Sequence, residues 1–174
     1  FVRQLFLDDC LSPPGPTLSQ RAIMHSRPPL LGFARARFGM SLANLKVALN
    51  EHRRTWVLRP AMPAGIDVIE TSDTFGGVVF SSFYNVINSQ FRSVALVMSE
   101  NLAGPECFQN EERIADWVDH KYGKRDQFAY YNKTLASNEL LWRFPSGAQI
   151  SLTNLAPKGG GCVLRLTFED KPSE

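Results

Sequence analysis

The sequence predicts an α+β fold: two helix–three-strand units in tandem, making an antiparallel sheet with two helices packed on one face. Three observations carry this expectation. Two amphipathic stretches, at about 42–54 and 105–122, are each followed by short β-branched and aromatic runs with turn residues between them. This order recurs as units of about 38–100 and 101–170, a repeat of element order without residue identity. The last run, Cys162 to Glu169, alternates apolar and polar residues as a half-buried strand must.

Composition sets the bounds. With 174 residues, 44% of them apolar and 11% aromatic, the chain suits one domain or two small ones. Folding at this length buries roughly 70% of the unfolded surface. Disorder as the main state is excluded. No apolar run approaches the roughly 20 residues of a membrane-spanning helix. The net charge of +2 is uneven: the first 40 residues hold five arginines against Asp8 and Asp9, and the remainder sits at −1. A nucleic-acid binder gathers Lys and Arg on its folded face, so nucleic acid is not expected as a partner.

The elements follow in order. Residues 1–37 read as a proline-rich leader or linker ahead of a single domain over 38–174. Pro13, Pro14, Pro16, Pro28 and Pro29 interrupt any long helix, leaving Leu18 to Met24 as a short helical turn. The segment lacks the charged, apolar, small-residue order of a signal peptide; it is either the start of a processed chain or a fragment boundary. Ser41 suits an N-cap, and Leu42, Leu45, Ala48 and Leu49 give a helix to about Arg54. Strands are expected at Ile66–Thr71, Val78–Asn85 after Gly76-Gly77, and Phe91–Met98 after an Asn88-Ser89 turn. Pro105 opens the second helix, Ile114, Trp117, Val118 and Tyr122 form its buried stripe, and Gly123 takes the left-handed residue past its end. Further strands are expected at Phe128–Tyr131, Leu140–Phe144, Gln149–Thr153 and Cys162–Glu169.

The last strand and the second helix can be read together. Cys162, Leu164, Leu166 and Phe168 point toward the helices, and Val163, Arg165, Thr167 and Glu169 point away. Cys107 lies within about 20° of the line through Ile114 and Val118 at 100° per residue. The two sulfur atoms therefore converge, and a Cys107–Cys162 disulfide is expected, contributing roughly 3–4 kcal/mol. The alternative is two reduced cysteines acting as small hydrophobes. A bridge implies maturation in an oxidising compartment, periplasmic or secreted. Cys10 is left over, either free or linking two chains into a dimer.

Catalytic patterns are sparse. His25, His52 and His120 are scattered outside any metal signature, and His120 is thirteen residues, nearly 20 Å of helix, from Cys107. Gly76-Gly77 and Gly159–Gly161 lack the spacing of a phosphate loop and read as turns. Glu111, Glu112, Asp116 and Asp119 read as a solvated helix face, with Asp116 and His120 as an i, i+4 pair. Asn132-Lys133-Thr134 matches a glycosylation sequon. No catalytic group, cofactor or metal ligand is assigned, and the expectation is a non-enzyme.

Aromatic residues point instead to binding. Phe80, Phe83, Tyr84, Phe91, Tyr130, Tyr131, Trp142 and Phe144 exceed the needs of one thin core. Any left on the open sheet face beside arginines form the mixture enriched at protein interfaces. Arg92, Tyr131, Trp142, Arg143 and Arg165 are therefore the candidate partner-binding residues. The competing expectation is a small-ligand protein or enzyme with a pocket between helices and sheet, lined by Trp117, Tyr122 and Trp142.

Phe38-Gly39-Met40-Ser41 followed by Leu42 and Leu45, Lys121-Tyr122-Gly123 at a helix end, and Trp142 before a short hairpin carry a resemblance over about 38–170. The pattern resembles small secreted bacterial proteins built from α-β-β-β units, BamE-like singly and similar in tandem to the β-lactamase inhibitor protein. The Gly-x-Pro that often follows the first helix of BamE-like units is replaced here by His52-Arg53-Arg54. The resemblance implies a periplasmic or secreted protein-binding module, such as an inhibitor, an immunity protein or an envelope-assembly accessory.

Overall fold

A computed structural model describes residues 18–50, 55–61, 65–75, 77–100, 104–126, 129–132, 137–155 and 161–170. Helix α1 (Leu18–Ser26) leads into a hairpin of β1 (Gly32–Phe33) and β2 (Ala36–Arg37). Gly32 is required there: a Cβ would fall 2.0 Å from the Ala36 carbonyl oxygen. Helix α2 (Leu42–Asn50) follows, capped at Ser41, whose Oγ accepts from the Asn44 N–H at 3.3 Å. Leu45, Ala48 and Leu49 are its buried stripe, as their spacing predicts.

Four strands then run antiparallel: β3 (Val57–Ala61), β4 (Ile66–Phe75), β5 (Val78–Ile87) and β6 (Gln90–Glu100). Asn88 and Ser89, both at positive φ (50° and 64°), form the two-residue turn between β5 and β6. Helix α3 (Gly104–Tyr122) ends at Gly123, whose φ is 91° and whose N–H donates to the Asp119 carbonyl at 3.0 Å. The strands β7 (Ala129–Asn132), β8 (Ser137–Arg143), β9 (Gln149–Leu155) and β10 (Cys162–Glu169) complete the chain.

The eight-stranded order is β3-β4-β5-β6-β10-β9-β8-β7. The final strands of the two units thus meet at the centre, where Cys162 pairs with Glu100 and Glu169 with Ser93. Each unit carries four strands: the four expected after the second helix, and one more than the three expected after the first. The added strand of the first unit, β3, contains Pro60, which an edge position tolerates because no neighbour needs its missing N–H. Helix α2 runs over β6, and α3 over β9 and β10, so the α+β class and the one-sided helix packing are as predicted.

The boundary expected at residue 37 moves. Leu30, Phe33 and Ala36 are core residues, with the Phe33 ring 4.8 Å from that of Phe168. Arg27 is buried as well. Residues 27–37 are therefore part of the domain: Pro28 and Pro29 end the helix without preventing burial of the apolar residues that follow them. Residues 1–17 lie outside the described residues.

Candidate functional site

Alternation along each strand sorts the sheet into two faces. The covered face presents Phe80, Tyr84, Val94, Leu96, Ile150, Leu152, Leu164, Leu166 and Phe168 to the helices, all buried. Cys107 and Cys162 are bonded there, with Cα atoms 5.5 Å apart. Asn154 Oδ1 lies 3.7 Å from Cys107 Sγ, and Asn154 Nδ2 donates to Glu111 Oε2 at 2.6 Å. Glu111, expected on a solvated face, is buried; desolvation raises its pKa, the Asn154 hydrogen bond opposes the rise, and Glu112 adds to it. The remaining acids of α3 are held mainly by Arg125, which reaches Asp116 and Asp119 at 3.2 Å and Glu112 at 3.8 Å. Asp116 thus pairs with Arg125, where His120 was expected.

Trp142, expected at a binding surface, lies inside the protein. It is 0% exposed, and its Nε1–H donates to Asp119 Oδ1 at 2.9 Å. Its place on the covered face follows from the register Trp142↔Ile150, a detail that needs the pairing partner to be known. Trp117 and Tyr122 pack into the same layer, with the Trp117 ring 3.9 Å from Phe75 and the Tyr122 ring 6.0 Å from Phe168. These three aromatic side chains fill the interlayer space.

The other candidates divide. Arg92 follows the register shift in β5–β6 and pairs with Asp170 at 3.0 Å, and its Nη2 donates to Gln90 Oε1 at 2.5 Å. Arg143 Nε donates to Asp126 Oδ2 at 2.7 Å. Both are committed to intramolecular acceptors. Tyr131 pairs with Asn138 in the β7–β8 register. Arg165 is exposed on the open face of a central strand, opposite Val97 on β6 and Thr153 on β9, and has no ion pair among the described residues.

Around Arg165 the open face forms a groove of about 410 Å³. Val68 on β4 and Phe83 with Asn85 on β5 line one end, and Val163 on β10 with Leu155 on β9 line the other. Ala95 and Val97 of β6 lie between them, and Ala95 is only 5% exposed although its side chain is on the face away from Val94 and Leu96. A small residue on a central strand, walled by larger neighbours on the flanking strands, makes the depression. The expected strand Val78–Asn85 already placed Val79 and Phe83 on the face opposite Phe80 and Tyr84, which was the sequence signal for an apolar open face.

Two other depressions lie away from this face. One, of about 520 Å³, is lined by Arg35, Arg37, Met40 and Asn44 beside α2; another, of about 410 Å³, by Asp116, Asp119, His120 and Lys124. Among the described residues, no group of three or more His, Cys, Asp or Glu side chains is placed to hold a metal ion, and no helix is long and apolar enough to cross a membrane. His52 and Cys10 lie outside the described residues.

No family model matches the chain, and neither a curated protein nor a solved structure does.

Proposed function

We propose that this protein is a non-enzymatic protein-binding module of an oxidising compartment, periplasmic or secreted, that engages its partner through the open sheet face. The observation that carries this reading is the apolar groove across the centre of that face, lined by Phe83, Val97, Val163 and Leu155 and left uncovered by the helices. The cores of protein interfaces combine apolar surface of this kind with arginine. The intramolecular disulfide supports the compartment, since bridges persist where thiols are not kept reduced. The resemblance to tandem-unit inhibitor and assembly proteins points the same way.

The test is site-specific photo-crosslinking in the native host. A photoreactive residue at Val97 should give one dominant adduct, reproduced with the purified partner. The same residue at Arg113, on the exposed side of α3, should give none. Equal labelling from both positions, or no adduct from Val97, would refute an open-face binding site.

A further inference from the structure

We infer that the open-face groove selects a protein segment carrying an aspartate or glutamate flanked by apolar side chains, with the carboxylate seated on Arg165; this rests on the open-face reading above. The open face carries three arginine positions relevant here, Arg59, Arg143 and Arg165, by their alternation with residues that face the helices. Arg59 is neutralised by Glu70 at 2.7 Å and Arg143 by Asp126 at 2.7 Å. Arg165 alone of the three has no ion pair among the described residues, and it borders the apolar lining of the groove: Val97 lies opposite on β6 and Val163 two residues along its own strand, with Thr153 on its β9 side.

That arrangement constrains the occupant. A partner that covers Val97, Val163 and Phe83 also strips water from the Arg165 guanidinium. An unpaired buried cation is strongly unfavourable, so the covering surface must supply an anion. A carboxylate fits best, because the planar guanidinium donates two parallel hydrogen bonds to it and is more weakly hydrated than an ammonium. The groove crosses five strands, from β4 to β9, a span of about 19 Å at roughly 4.8 Å per strand. The complementary segment therefore has apolar residues on both sides of its acid. Ala95 at the floor provides the depth that one of those side chains fills.

The experiment is selection of displayed random peptides on the immobilised, disulfide-bonded protein, followed by affinity measurement with a synthetic peptide of the enriched sequence. The expected result is enrichment of sequences with Asp or Glu between apolar residues. Binding should weaken at least tenfold on Arg165→Met and with rising salt, and Val97→Asp should abolish it. Arg165→Glu should regain binding to a peptide whose acid is replaced by arginine. Both positions are on the uncovered face, and unchanged thermal unfolding confirms that each variant is folded. Loss with Val97→Asp but none with Arg165→Met would overturn the carboxylate while leaving the open-face site intact. Binding unaffected by either substitution, or no enriched peptide, would overturn both.

Discussion

Arg27 Nη2 stands 2.8 Å from Asp126 Oδ1, with the two side chains 1% and 2% exposed, and this pair ties the end of α1 to the loop after α3. The contact is an ion pair without an aligned hydrogen bond to Oδ1. The guanidinium instead donates to the Arg143 carbonyl at 2.5 Å and to the Lys124 carbonyl, and it lies over the Phe144 ring at 5.7 Å. Arg143 provides Asp126 with a second cation.

Removing Arg27 should therefore be costly. Arg27→Met leaves two buried carbonyls and part of a buried carboxylate uncompensated, and a loss of about 3 kcal/mol is expected, since breaking a buried pair by removing one partner costs about 3–5 kcal/mol. Asp126→Asn in the same background should recover part of it. Chemical denaturation measures both. A change below about 0.5 kcal/mol for Arg27→Met would show that the first helix is not anchored in this way.

The disulfide closes a separation of 55 residues between α3 and β10. The chain-entropy relation assigns such a loop about 4 kcal/mol at 25 °C. Cys107→Ala with Cys162→Ala should lower unfolding free energy by that order. Thiol mapping of the unreduced, denatured protein should label Cys10 and neither of the other two. Labelling of Cys107 without reductant would contradict the bridge.

Trp142 is a stability residue, contrary to its expected role in binding. Trp142→Ala should cost about 3–5 kcal/mol from lost contacts and the cavity left behind. Trp142→Phe keeps most of the ring volume and loses the hydrogen bond to Asp119, so its cost should be smaller. A Trp142→Ala variant with unchanged stability and weakened partner binding would reverse this assignment.

Two groups give opposite ends of the pH profile. Burial pushes the Tyr122 hydroxyl up to about 12, so the fold favours its protonated form. That contribution is complete below about pH 10 and is lost as pH rises through 10 toward 12. Tyr122→Phe should flatten the alkaline arm of stability against pH. Glu111 is also raised by burial, so its contribution is complete below about 4.5 and is lost as pH rises through its folded pKa. Glu111→Gln keeps an acceptor for Asn154 and should stabilise the protein at neutral pH relative to wild type. Urea midpoints from pH 4 to 11 would check both; a steeper alkaline arm for Tyr122→Phe would refute the first.

Much of the architecture was readable residue by residue. The alternation of Cys162–Glu169 predicted a strand with those bounds, and the Cys107–Ile114–Val118 line predicted which way its helix faces. Together they brought two sulfur atoms into bonding distance. The turn at Asn88-Ser89 and the left-handed Gly123 were equally local. Strand β3 was missed because Pro60 argues against a strand unless the strand is at an edge, and edge status depends on the whole sheet. Of the candidate site, Arg165 kept its place on the open face, whereas Arg92 and Arg143 proved to have acceptors of their own and Trp142 lay inside.

The sequence by itself determined what local periodicity can encode: which segments are helices or strands, and which side of each is apolar. Tertiary structure alone decided which charges are satisfied. Arg27 binds carbonyls 97 and 116 positions away, and Glu111 meets Asn154 43 positions on, pairings that no local pattern contains. The physical reason is that periodicity reports the apolar surface of one element at a time. The state of a charge depends on which distant element the folded chain brings beside it, and that same accounting leaves Arg165 in an apolar groove without an ion-pair partner among the described residues.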